Sequence, residues 1–247
     1  IKSMNKKTAL ITGSASRIGK QIALHLLDRG YDLLLHYFSN ETGVDEICKI
    51  AQKSHKGAYK LHGDFSSAAG IDQFIGSISN EGNGSLAQPD VIINSAGVIS
   101  TSRMGQITSV ELERLFAINF LAPTMVINHF ASVATHPMVC INLTDVGADL
   151  TWTKFAGYCL SKKALSESAR YQALQFAPTV RVNNIALGIL LRSEWMDNEM
   201  TEKLSKKIPL GRLGVQADLN SCIDFLIENV YITGQTITLD GGRSLKG

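Results

Sequence analysis

The feature of this sequence that most limits its fold is a recurring exchange between two hydrophobic periods. Short runs rich in β-branched residues alternate with longer stretches in which apolar residues return every three or four positions. That alternation is the pattern of βαβ units, which build a parallel sheet with helices on both faces. Residues 8–12, 31–37, 58–62, 91–94, 138–144, 181–186 and 235–239 read as strands, and 18–29, 44–53, 71–79, 110–134 and 158–176 as helices. In the first helix Ile22, Leu26 and Leu27 share a face, and Gly30 supplies a C-cap. The expectation is one α/β domain over residues 4–247: a seven-stranded, doubly wound parallel sheet. Residues 193–213 break the rhythm before the last strand and read as an inserted flap over a substrate. Residues 82–89 form the loosest linker. Ile1, Lys2 and Ser3 precede Met4, a candidate initiator, and read as an added extension.

A chain of 247 residues, 45% apolar, can bury one large core. Its 24 basic and 22 acidic residues nearly cancel, and no run of Lys or Arg concentrates the excess. Nucleic acid and anionic membrane surfaces are therefore not the expected partners. Cys48, Cys140, Cys159 and Cys222 are dispersed, and the six histidines form no HExxH or Cys/His cluster. Neither a disulfide framework nor a metal centre is expected. No run approaches about 18 consecutive apolar residues, and the N-terminus lacks a signal-peptide core. The expectation is a cytoplasmic protein without a membrane span, acting on a small molecule.

The first strand runs into Thr12-Gly13-Ser14-Ala15-Ser16-Arg17-Ile18-Gly19 and then a helix. In a Rossmann fold such a turn offers backbone N–H groups and a helix dipole to a pyrophosphate. Arg17 places a cation at the helix N-terminus, which the macrodipole disfavours unless an anion lies beside it. Dinucleotide folds specific for NAD place an acid about 20 residues on, against the ribose 2′-hydroxyl. Here that segment is His36-Tyr37-Phe38-Ser39-Asn40, without an acid, although Glu41 follows. NADPH is the expected cofactor, with Ser39 and Asn40 donating to its 2′-phosphate.

Tyr158 and Lys162 lie four apart and share a helical face. An ammonium near the phenol favours phenolate over the free value of about 10 and makes the Tyr a better proton donor at neutral pH. Thirteen residues earlier stands Asp145. An ionised carboxylate only accepts hydrogen bonds, so it fits a substrate rich in N–H donors better than a carbonyl gaining negative charge.

The glycine turn, Asn94-Ser95-Ala96-Gly97 after the fourth strand, and Tyr158-x-x-x-Lys162 together resemble the short-chain dehydrogenase/reductase family across nearly the whole chain. Asn183-Asn184-Ile185-Ala186-Leu187-Gly188 and Leu239-Asp240-Gly241-Gly242 also fit. The resemblance implies catalytic roles for Tyr158, Lys162, Asn119 and Asp145. It implies cofactor contacts at Gly13, Ser14, Ser16, Arg17, Ile18, His36, Tyr37, Asn94, Ser95, Ala96, Tyr158, Lys162, Gly188 and Leu190, with Asp64 and Phe65 at the adenine. Asp64 could equally cap a helix, and Asn119 could satisfy buried backbone groups. Most of the family has glycine at position 17 and Ser at position 145, although a one-residue shift would put the Thr144 hydroxyl in that Ser role and leave Asp145 an ordinary strand-end acid. Arg17 and Asp145 resemble its pteridine and dihydromonapterin reductases.

The expected activity is therefore NADPH-dependent reduction of a dihydropterin-like ring, in a homotetramer as in many relatives. Against the pterin stands Ile99, where pterin-reducing relatives carry a stacking aromatic; Trp152, Phe155 or Trp195 could replace it. Leu187 also replaces the usual Pro, and Arg192 the usual Thr. The alternatives are a carbonyl reductase of the 3-oxoacyl-carrier-protein type and a nucleotide-sensing protein that has lost turnover.

Overall fold

A computed structural model describes residues 7–15, 17–79, 88–190 and 196–246. Strands β1 (Thr8–Thr12), β2 (Asp32–Tyr37), β3 (Ala58–His62), β4 (Val91–Asn94), β5 (Met138–Asp145), β6 (Val180–Leu187) and β7 (Thr236–Leu239) form one sheet. All pairs are parallel, in the order β3-β2-β1-β4-β5-β6-β7. Helices are α1 (Arg17–Asp28), α2 (Glu41–Lys53), α3 (Ala68–Ser79), α4 (Ser109–Phe116), α5 (Ala122–Ser132), α6 (Ala156–Gln175), α7 (Asn198–Ser205) and α8 (Gln216–Glu228). This is the doubly wound Rossmann-like sheet expected from the sequence.

Alternation along each strand divides the core between two faces. Ala9 and Ile11 of β1 join Ile22, Leu26, Ile47 and Ile223 beneath α1, α2 and α8. Leu10 between them joins Ile71, Phe74, Val126 and Ala169 beneath α3, α5 and α6. The order of strands reverses between β1 and β4, opening a crevice at their C-terminal ends, where ligands of such sheets bind.

Helix α8 has no counterpart among the sequence expectations. Its pattern was nonetheless present, because Leu219, Cys222, Ile223 and Leu226 recur at helical spacing and all are buried. The helix expected over 110–134 is interrupted by a π-turn, Ala117–Leu121, between α4 and α5. Together Ser109–Ser132 is long and apolar enough to cross a membrane, yet half of that window is buried inside this domain. Of the expected flap, the described part is α7, capped by Asp197, and the turn that follows. Linker residues 82–87 and flap residues 193–195 lie outside the described residues.

A polar ladder crosses four strands, from the buried core out to the edge strand β7. Asn94 donates to Asn142 (2.9 Å), Asn142 to Asn184 (3.1 Å), and Asn184 to the Thr236 hydroxyl (3.1 Å). Asn142 is fully buried at its centre. Replacing it with Leu strands a donor on Asn94 and an acceptor on Asn184, each costing about 1–3 kcal/mol. The Asn142→Leu variant is therefore expected to lose about 2 kcal/mol or more, read from its urea unfolding midpoint.

Candidate active site

The crevice is built on a close approach of β1 to β4. The Thr12 hydroxyl oxygen accepts from the Ser95 N–H (3.0 Å) and the Ala96 N–H (3.1 Å). Gly13 takes φ 66°, and a Cβ there would stand 2.8 Å from Ala96 Cα; a Cβ on Gly19 would run into the Gly13 carbonyl oxygen. Only glycine fits both places. Arg17 opens α1 with φ 51°, in the left-handed region, at a cost of about 1–2 kcal/mol for a residue with a Cβ.

His36 supports this turn from below. Its Nδ1 accepts from the Gly13 N–H (3.1 Å), and its Nε2 donates to the Gly63 carbonyl (3.2 Å). The ring stacks on Phe65 at 4.0 Å. These bonds require neutral imidazole, and burial holds its pKa down to about 4. Ser14 is fully buried and donates to the His36 carbonyl from both its N–H and its hydroxyl.

A cleft of about 930 Å³ runs from Tyr37, Ser39, Asn40, Asp64 and Phe65, past Gly13, Arg17, Ile18, Ser95 and Ala96, to Asp145, Tyr158, Lys162, Gly188 and Leu190. At its far end the Tyr158 hydroxyl donates to Asp145 Oδ2 (2.9 Å), while Asp145 Oδ1 accepts from the Gly147 N–H (2.7 Å). The Thr144 hydroxyl, also at the cleft, donates to the Ile185 carbonyl (3.3 Å). Burial, then the Asp145 carboxylate, pushes the Tyr158 phenol above its ordinary value. Burial also raises Asp145, against the pull of Gly147, Tyr158, Lys162 and Arg243. Lys162 is buried, its Nζ donates to the Leu143 carbonyl (2.9 Å), and burial brings its pKa down to about 8.

A family model described as enoyl-(acyl carrier protein) reductase matches residues 13–244. The chain belongs to the short-chain dehydrogenase/reductase family. It is 28% identical to a dihydromonapterin reductase of Klebsiella pneumoniae, over 96% of each chain. It is 27% identical to a 3β-hydroxysteroid dehydrogenase of Eggerthella lenta, over 97% of this chain and 94% of that one. The crystal structure of an alternative dihydrofolate reductase from Brucella suis, in complex with NADP, superposes with a TM-score of 0.87 at 26% identity, covering 97% of this chain and 95% of that one.

Within this short-chain dehydrogenase/reductase several expected residues make scaffold hydrogen bonds, and Ser14, Asn94 and Asn119 are not among the described residues that line the cleft. Ser14 is pinned to β2, and Asn94 is committed to the ladder across the sheet. Asn119 is fully buried in the π-turn and pairs both its amide atoms with the Val98 backbone (2.9 Å each). Asn40 lines the cleft but caps α2 through Gly43 N and donates to the Ala15 carbonyl (2.9 Å). Asp64 accepts from the Ser66 N–H (2.8 Å) in a local turn. The charge expected to act on Tyr158 was that of Lys162. The charge that meets its hydroxyl is the carboxylate of Asp145, because Lys162 is turned to the β5 backbone.

Ser16, Arg192 and Trp195 lie outside the described residues, and neither Trp152 nor Phe155 is among the described residues that line the cleft. Sequence reasoning missed Lys60, which pairs with Glu41 (2.6 Å) and Asp45 (2.9 Å) and offsets the acid following Asn40. The β3 register, which sets Leu35 opposite Lys60, brings it there. Among the described residues no group of three His, Cys, Asp or Glu side chains could hold a metal ion.

The His36 bonds predict a pH dependence. In the unfolded chain the ring returns to about 6.5 and takes up a proton first as pH falls. This contribution is intact above about pH 6.5 and is lost towards pH 4, by about 3 kcal/mol at 1.4 kcal/mol per tenfold. Urea unfolding at pH 7 and pH 4.5 is expected to show a shallower loss in His36→Gln than in wild type. An equal loss would remove the neutral ring from the account.

Proposed function

We propose that this protein is an NADPH-dependent reductase of a dihydropterin-like ring. The observation that carries the reading is the hydrogen bond from Tyr158 to Asp145, which sets a carboxylate at the reacting end of the cleft. An ionised Asp145 repels a carbonyl oxygen gaining negative charge, but it accepts hydrogen bonds from the amino and ring N–H groups of a pterin. The dihydromonapterin reductase and the NADP-bound alternative dihydrofolate reductase among the similar proteins support the same class.

The cleft fits a dinucleotide on its own geometry: the Gly13 turn approaches Ala96 too closely for any side chain and leads into the N-terminus of α1. Arg17, Ile18, Ser95 and Ala96 would hold the pyrophosphate and its riboses, with Tyr37, Ser39 and Asn40 at the 2′-phosphate and Lys162, Gly188 and Leu190 at the nicotinamide end. The bound cofactor supplies the hydride. Tyr158 keeps its proton because both burial and Asp145 disfavour phenolate, so it stands as the donor to a ring nitrogen. Loss of that proton leaves a phenolate beside a carboxylate, and uptake of a proton by Asp145 relieves the repulsion. Asp145 and Tyr158 thus act as one coupled acid. Lys162 anchors the end of β5 beneath them, and Asn119 fixes the Val98 backbone at the cleft wall.

One observation favours a second reading. Ile99 stands exposed at the cleft edge without an aromatic ring in its place, which suits an aliphatic carbonyl substrate. NADPH oxidation with dihydromonapterin or dihydrobiopterin, beside acetoacetyl-CoA, separates the two. Pterin turnover is expected, falling by at least about 100-fold in both Tyr158→Phe and Asp145→Ser. Turnover of acetoacetyl-CoA alone, undiminished in Asp145→Ser, would establish the carbonyl reductase.

Leu160, Tyr171 and Leu174 are exposed apolar residues of α6, which supports assembly through that helix. A homotetramer is expected, with a light-scattering mass four times that of the chain; a monomer mass would exclude it. Four free thiols are in keeping with a reducing, cytoplasmic setting.

A further inference from the structure

The turn that carries Asp145 is packed from outside by an aromatic ring. A Cβ on Gly147 would stand 2.8 Å from Trp152 Cε3 and 3.0 Å from Asp145 Oδ1, so Trp152 lies directly against the residue whose N–H holds the carboxylate. The guanidinium of Arg243 lies over the Trp152 ring, 5.6 Å from its centre. Arg243 opens the short 3-10 turn Arg243–Lys246, and Asp240 fixes that turn by accepting from the Gly242 N–H (2.8 Å) and the Ser244 N–H (2.7 Å). Asp240 in turn sits against Gly188 at the cleft, where a Cβ would meet its own Cβ at 2.6 Å. The C-terminal turn is therefore braced on the end of β6 and delivers a cation to the substrate end of the site.

We propose that Arg243 is a positioning residue for Asp145, clamping Trp152 against the Gly147 turn and supplying a permanent positive charge to the carboxylate. The inference rests on the reading of Asp145 as the substrate-facing carboxylate. The groups that face Asp145 are Tyr158, Cys159 and Lys162 of α6, the Gly147 N–H of its own turn, and Arg243. Burial pushes Asp145 up, and Lys162 and Arg243 both pull it back. Lys162 is itself brought down to about 8 by burial, whereas a guanidinium stays charged at every working pH. Arg243 also acts on Asp240, which shares its charge. Without Arg243 the Asp145 carboxyl takes up its proton at higher pH and changes from an acceptor into a donor. Arg243 thereby helps decide which hydrogen-bonding pattern the site admits.

The test compares wild type, Arg243→Gln and Arg243→Lys by two readouts. One is the acid limb of kcat/KM with whichever substrate wild type turns over. The other is the ¹³C titration of the Asp145 carboxyl in ligand-free protein, assigned by its loss in Asp145→Asn. In Arg243→Gln both are expected to move upward by about half a pH unit or more, and Arg243→Lys to restore most of the shift. Trp152→Leu, which removes the platform but keeps the cation, is expected to move both in the same direction. Titrations that coincide in wild type and Arg243→Gln, or that Arg243→Lys fails to restore, overturn the proposal. Failure of wild type to turn over any pterin would overturn the substrate reading alone, since the carboxyl titration needs no substrate.

Discussion

Everything at the site depends on how closely the ends of β1 and β4 can approach. The Thr12 hydroxyl oxygen gathers the N–H groups of Ser95 and Ala96, and Gly13 and Gly19 remove the side chains that would hold the turn away. The same contact aims α1 at the crevice where the strand order reverses. His36 makes the arrangement rigid by joining the Gly13 N–H to the Gly63 carbonyl through one neutral ring. A charged ring could not accept from Gly13, so the buried, dry setting beside Phe65 is part of how the turn is held.

At the opposite end the governing quantity is the charge on one carboxylate. Asp145 receives the Tyr158 hydroxyl and a backbone N–H, with Lys162 and Arg243 as the nearby cations. A phenol that donates to a carboxylate is a poorer acid than one set against an ammonium. The two groups are therefore linked electrostatically through one hydrogen bond.

Much of this was legible along the chain. The two hydrophobic periods locate all seven strands within a residue or two, because buried parallel strands and amphipathic helices leave unlike signatures. The glycine turn and the Tyr158, Lys162 pair are local patterns and can be read as such. Helix α8 is equally readable, in Leu219, Cys222, Ile223 and Leu226, although it follows the irregular flap segment. The interruption at Ala117–Leu121 holds Asn119, whose amide pairs with the Val98 backbone 21 residues away in sequence.

By itself the sequence determined the α/β architecture, the position of the glycine turn, the family, and the presence of an acid thirteen residues before Tyr158. These are set by spacing, which a linear chain records. Only the tertiary structure decided that Asp145 and not Thr144 meets Tyr158, that Asn94 and Ser14 serve the sheet, that Lys60 offsets Glu41, and that Arg243 reaches Trp152 from the far end of the chain. Each of those outcomes joins residues distant in sequence or turns on which face of a strand a side chain occupies. The physical reason is that strand register and crossover geometry bring such residues together, and neither quantity is written in the residues that meet.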